Sequence, residues 1–166
     1  MPFRIVPLDS THDRSGFNSG VSALDNYFRQ QATQDARRNV ARCFVATDEA
    51  ERIAGYYTLA SASVPLLALP ENIAKKLPRY PSIPAVRMGR LAADRDFQGQ
   101  RLGAGLLADA LMRTLRAEIA AYALLVDAKD ETAAAVYRHH GFAALPQSPR
   151  TLMLPLAVAA KMLGSR

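Results

Sequence analysis

The chain has 166 residues, 49% hydrophobic and 22% charged, which is the length of one domain and an ordinary globular balance with apolar residues enough for a sizeable core. A single cysteine, Cys43, excludes a disulfide framework; no apolar run approaches the roughly 18 residues of a membrane span; and the start lacks a secretory core, so a cytoplasmic setting without a membrane partner is expected. The 21 basic against 15 acidic residues say little about partners by themselves.

"FRIVPL" (3–8) reads as a first strand. "VSALDNYFRQQATQDARRN" (21–39) reads as one amphipathic helix, with Leu24, Tyr27, Phe28, Gln31 and Ala32 at helical spacing. Ser22 is placed as its N-cap, with Asp25 in a capping-box position. "VARCFVAT" and "RIAGYYTLASASV", separated by the polar "DEAE", suggest a hairpin, with Cys43 read as a buried strand thiol. Residues 65–84 hold five of the ten prolines and read as a constrained loop around a short "ENIAKKL" turn. "AVRMGRLAA" (85–93) is the next strand. Leu102, Leu106, Leu107, Leu111 and Leu115 mark one face of a helix running to about Glu118. "YALLVDA" is a buried strand, "DETAAAVYRHHG" a helix closed by Gly141, and "FAAL" with "TLMLPL" a final strand pair. No repeat or linker divides residues 1–166, so one domain is expected. The order predicts a mixed α/β (α+β) fold, with a six- to seven-stranded sheet and helices on both faces.

Two features carry chemistry. Between Glu71 and Arg90 stand Lys75, Lys76, Arg79, Arg87 and Arg90 against Glu71 alone. This concentrated positive segment favours an anionic ligand, and a solvated basic face or an acidic protein segment competes with that reading. The second feature is "RLAADRDFQGQRLGAGLLADAL" (90–111), where glycines stand at a strand-to-helix junction. A helix N-terminus offers unpaired N–H groups to phosphate, and glycines let it approach closely. A P-loop is excluded because no Gly-Lys-Ser/Thr follows. A dinucleotide fingerprint can be forced onto Gly103, Gly105 and Ala108 with Asp127, but those glycines lie several residues beyond the strand. Close helix–sheet packing is the bland alternative. His12, His139 and His140 show no ligand spacing, so no metal is expected.

Gln98-Gly99-Gln100-Arg101-Leu102-Gly103 resembles the R/Q-x-x-G-x-G/A pattern of the GNAT acetyltransferases, which cradles the pyrophosphate of acetyl-CoA. Arg101 departs from it, standing where the family usually has a second glycine. The strand before the pattern, the helix and strand after it, and "VYRHHGF" match the family in order. The resemblance implies a GNAT fold using acetyl-CoA as co-substrate. It also implies cofactor contacts at Leu91, Ala92, Ala93, Gln98, Gly99, Gln100, Arg101, Leu102, Gly103 and Ala104, with Tyr137 as general acid. Asp130 stands where many members carry asparagine. No convincing general base emerges; Asp94, Asp96 and Asp127 qualify by proximity to the pattern alone.

"FNSGVSALDNYFRQQA", "IAGYYTLAS", "LPRYPSIPAVRMGRLAAD" and "VDAKDETAAAVYRHHGF" are together similar to the GNAT-type toxins of toxin–antitoxin modules. That resemblance implies aminoacyl-tRNA as acceptor, a ribbon–helix–helix antitoxin as partner, and a homodimer. It places tRNA contacts at Lys75, Lys76, Arg79, Arg87 and Arg90, extended by Arg37 and Arg38. Acetylation of a small amine or a protein amino group, and a non-catalytic CoA-binding protein, are the competing readings.

Overall fold

The computed structural model describes residues 2–164. Its strands are β1 (Arg4–Pro7), β2 (Arg42–Thr47), β3 (Ile53–Pro65), β4 (Ser82–Ala93), β5 (Ala123–Asp127), β6 (Ala143–Leu145) and β7 (Ser148–Pro155). Its helices are α1 (Ser22–Gln30), α2 (Ala32–Arg37), α3 (Glu71–Ala74), α4 (Leu102–Arg116), α5 (Glu131–His139) and α6 (Leu156–Gly164). The strands form one sheet in the order β1-β2-β3-β4-β5-β7-β6. Pairing is antiparallel for β1–β2, β2–β3, β5–β7 and β6–β7, and parallel for β4–β5. The mixed α/β sheet is therefore as expected, with seven strands. No helix among the described residues is long and apolar enough to cross a membrane.

The chain divides into two compact units, Met1–Ala60 with Gly89–Met112 and Ser61–Met88 with Arg113–Arg166. In the first, α1 turns Tyr27 and Phe28 inward against β2 and β3. Phe28 stacks on Tyr56 with centroids 4.3 Å apart, and Phe17 meets both rings edge-on. Burying each such ring contributes roughly 1.5–3 kcal/mol. Cys43 lies in this core, and burial pushes its thiol up to about 12. In the second unit, Ile83 and Ala85 of β4, Leu125 of β5 and Met153 of β7 pack with Val64, Leu69 and Leu145.

Four expectations are corrected. The first helix is two, α1 and α2, broken at Gln31. Asp35 holds the break by accepting from the Tyr27 hydroxyl at 2.7 Å and the Gln31 amide at 3.0 Å. The N-cap of α1 is Val21, without a side-chain cap. Asp25 is 5% exposed and instead accepts the Ser19 N–H and hydroxyl, at 3.0 and 2.7 Å. The fourth strand starts at Ser82, ahead of Pro84. Pro84 has no N–H to give, but its carbonyl accepts from Tyr122 N at 2.8 Å, so a proline is tolerated there. Finally, the last strand ends at Pro155 and α6 follows it.

Candidate cofactor and catalytic site

In the first unit, β4 runs through Leu91, Ala92 and Ala93 into the glycine stretch. Asp94 N donates to Ala54 O on β3 at 2.8 Å. Groups along a strand face alternate edges, so the backbone groups of Ala92 also face β3, while the N–H groups of Leu91 and Ala93 face the opposite edge. Along that opposite edge the β5 register covers only Ala85–Met88, leaving residues 89–93 beyond it. Gly55 on β3 makes this approach possible: a Cβ there would lie 2.8 Å from Ala92 O.

After Ala93 the chain makes a tight turn. Asp94, 3% exposed, caps it by accepting Asp96 N at 2.9 Å. Gly99 (φ +83) and Arg101 (φ +60) then take left-handed backbone. Arg101 stands where the family usually has glycine, and it adopts the conformation that glycine adopts most cheaply. The Gly105 amide closes the first turn of α4 on Arg101 O at 3.1 Å. The amides of Leu102, Gly103 and Ala104 consequently have no acceptor one turn earlier. Nothing lies within 4 Å of where a Gly103 Cβ would stand. Close helix packing therefore does not explain this glycine, and the space beside that position is open. The Gln98 side chain points elsewhere, donating to Ser19 O and Ala93 O at 3.1 Å each. Gln100 and Ala104 are exposed beside the loop.

Two of the candidate bases are engaged here. Arg52 pairs with Asp96 and lies 3.4 Å from Asp94, with its guanidinium 4.9 Å from the Phe97 ring centroid. Arg90 stacks on Tyr27 at 3.5 Å to the centroid, which a guanidinium does well and an ammonium less well.

In the second unit, Asp130 caps α5 by accepting Ala133 N at 2.8 Å, a role that an asparagine oxygen fills equally well. Tyr137 sits seven residues on, its ring edge-to-face with Phe142 at 5.6 Å. Burial, with a contribution from the Asp127 carboxylate, pushes its hydroxyl up to about 12. Asp127, the third candidate base, pairs with Arg87 and accepts the Thr151 hydroxyl at 3.2 Å. Arg87 is thus engaged by a carboxylate of its own unit. Lys75, Lys76 and Arg79 are exposed in the segment after α3.

In the first unit a strand edge with outward amides runs into an amide-rich helix start, and in the second Tyr137 is a half-buried tyrosine on α5. A model described as an acetyltransferase (GNAT) domain matches residues 39–144, and the chain belongs to that family. A Mycobacterium tuberculosis (strain ATCC 25618 / H37Rv) protein named tRNA-acetylating toxin is 36% identical over 165 residues, covering 98% of this chain and 96% of its own. The structure of AtaT complexed with acetyl-methionyl-tRNAfMet is 30% identical with a TM-score of 0.86, covering 98% of this chain and 99% of that one. An AtaT mutant toxin bound to the C-terminus of the antitoxin AtaR and acetyl-CoA is 26% identical with a TM-score of 0.80, covering 100% of both chains.

Proposed function

We propose that this chain, acting as a single domain over residues 1–166, moves the acetyl group of acetyl-CoA to the α-amino group of aminoacyl-tRNA and so blocks translation as a toxin. The observation that carries the cofactor half is the loop 98–104, where left-handed Gly99 and Arg101 lead into the amide-rich first turn of α4 and a Gly103 Cβ would meet nothing within 4 Å. The acceptor half rests on the likeness to the tRNA-acetylating toxin and to AtaT in its tRNA complex. A ribbon–helix–helix antitoxin, a homodimer and a cytoplasmic setting complete the reading.

When bound, acetyl-CoA supplies a thioester carbonyl for an amine to attack. The amides of residues 102–104 hold the diphosphate, together with the left-handed turn before them. The N–H groups of Leu91 and Ala93 receive the charge that develops on the carbonyl oxygen; a preorganised backbone donor is worth roughly 3–4 kcal/mol. As the N–C bond forms and the C–S bond breaks, nitrogen loses a proton and sulfur needs one. Tyr137 donates it, since a hydroxyl held near 12 stays protonated through neutral pH. The proton lost by the amine restores the tyrosine.

No carboxylate is required as a base. Asp94 and Asp96 are tied to Arg52, and Asp127 to Arg87. An α-amino group titrates near roughly 8, against roughly 10.4 for a lysine side chain, so water removes its proton readily. This favours an α-amine acceptor over a lysine. Lys75, Lys76 and Arg79 contact the tRNA backbone. Incubation with labelled acetyl-CoA and either bulk charged tRNA or polyamines tests the assignment: label in the aminoacyl fraction supports it, and label in polyamines alone replaces it with a small-amine transferase.

A further inference from the structure

The sequence "FNSG" (17–20) is a turn whose backbone groups are committed on two sides. Toward α1, Asp25 accepts Ser19 N–H at 3.0 Å, and Arg29 donates to Phe17 O at 2.6 Å. Toward the glycine stretch, Asn18 N donates to Asp94 at 2.9 Å, Arg95 N donates to Asn18 O at 2.9 Å, and the Gln98 amide donates to Ser19 O at 3.1 Å. The turn is closed on itself by Gly20 N donating to Asn18 Oδ1 at 2.9 Å, with Gly20 at φ +89.

Three of these bonds, from Asn18 to Asp94, Arg95 to Asn18 and Gln98 to Ser19, join segments far apart in sequence and end within five residues of Gly99, and two more end on α1. Asp25 is the notable member. It is a carboxylate 5% exposed that accepts the Ser19 N–H and hydroxyl. A buried carboxylate left without donors would be costly, so Ser19 is held firmly. Gln98 in turn hangs on the carbonyl of that same residue.

We infer that the Asn18–Gly20 turn is a positioning element for the cofactor loop: Asp25 fixes Ser19, Ser19 fixes Gln98, and Gln98 sets where the helix-start amides point. Gln98 thereby acts on acetyl-CoA through the protein and makes no side-chain contact with the phosphates. This rests on the reading of loop 98–104 as the diphosphate site.

The test measures acetyl-CoA affinity by calorimetry and kcat at saturating acetyl-CoA, on the full chain, for Gln98→Ala, Asp25→Ala and the double variant. Losing the two neutral hydrogen bonds of Gln98, to Ser19 O and Ala93 O, corresponds to about a tenfold weaker affinity, and Asp25→Ala, by freeing Ser19, should cost about as much. Each single variant should show that loss, with kcat changed by less than about twofold. The double variant should be no more than about twofold worse than the weaker single, because both act through Ser19. Losses that multiply to about a hundredfold, or single variants that leave affinity unchanged, overturn the relay. Should Asp25→Ala fail to fold, Ser19→Ala takes its place, since it loses the hydroxyl and keeps the backbone bond. Gly103→Asp checks the underlying reading by placing a carboxylate in the open space at the helix start. Unchanged affinity there refutes the diphosphate site itself; a large loss beside multiplying relay variants refutes only the relay.

Discussion

Adding one methyl group at Gly55 should disturb both stability and turnover. An ideal Cβ at this position lies 2.8 Å from Ala92 O, 3.0 Å from Leu106 Cδ1 and 3.1 Å from Leu102 Cδ2. The two leucine tips can swing aside, but the carbonyl belongs to the strand. Ordinary contact begins near 3.4 Å, so β3 and β4 must part by about 0.6 Å there, the difference between 3.4 and 2.8. Overpacking of this kind costs about 1–3 kcal/mol. Each kcal/mol lowers Tm by roughly 2–4 °C in a chain of this size, so Gly55→Ala should melt roughly 2–12 °C lower. The displaced residue lies between Leu91 and Ala93, whose amides are assigned to the carbonyl oxygen. Since a misplacement of about 1 Å can cost a hundredfold, kcat should drop about tenfold. Scanning calorimetry and steady-state acetyl transfer measure the two effects. A melting temperature and a kcat both equal to those of the parent would refute the close approach and its consequence together.

Tyr137→Phe keeps the edge-on contact with Phe142 and removes only the hydroxyl, so kcat should fall about 10²–10⁴-fold with acetyl-CoA affinity retained; unchanged turnover would strip Tyr137 of its role. Because the Tyr137 hydroxyl is pushed up to about 12, the kcat profile should show no alkaline fall from this group below about pH 11. Stability should respond earlier. Cys43 and Tyr137 ordinarily titrate at 9.0 and 10.0 and are both raised to about 12 in the folded chain. The native state thus holds these protons more tightly, their contribution is full below pH 9, and it drains away between pH 9 and 12; Tm measured from pH 8 to 11 should decline from about pH 9 onward. Lys76→Glu with Arg79→Glu should weaken charged-tRNA modification at least tenfold and flatten its salt dependence, by up to roughly 0.9 log units per lost phosphate contact. Acetyl-CoA affinity should be untouched, and an equal loss of both would indicate a damaged fold.

Much of the architecture was legible in the sequence because its signals were local. "YALLVDA" is a continuous apolar run and forms β5; "DETAAAVYRHHG" carries its own cap and stop and forms α5. The misses arose where local signals were absent or outvoted. "TLMLPLAVAAKML" is apolar throughout, so periodicity marks no boundary between β7 and α6. The break after α1 depends on Asp35 reaching back to Tyr27, eight residues away, which helical spacing does not reveal. The glycine loop could be read directly, since Gly99, Gly103 and the following leucines are contiguous. The use of Gln98 could not: its partner Ser19 lies 79 residues earlier. The same holds for Asp94, Asp96 and Asp127, whose partners Arg52, in the turn before β3, and Arg87, on β4, lie tens of residues away in sequence.

The most direct measurement is mass spectrometry of aminoacyl-tRNA after incubation with this protein and acetyl-CoA, beside a Tyr137→Phe sample. An increase of one acetyl group on the α-nitrogen of the aminoacyl moiety, lost in the variant, is the predicted result. Aminoacyl-tRNA of unchanged mass, recovered with intact acetyl-CoA, would contradict it.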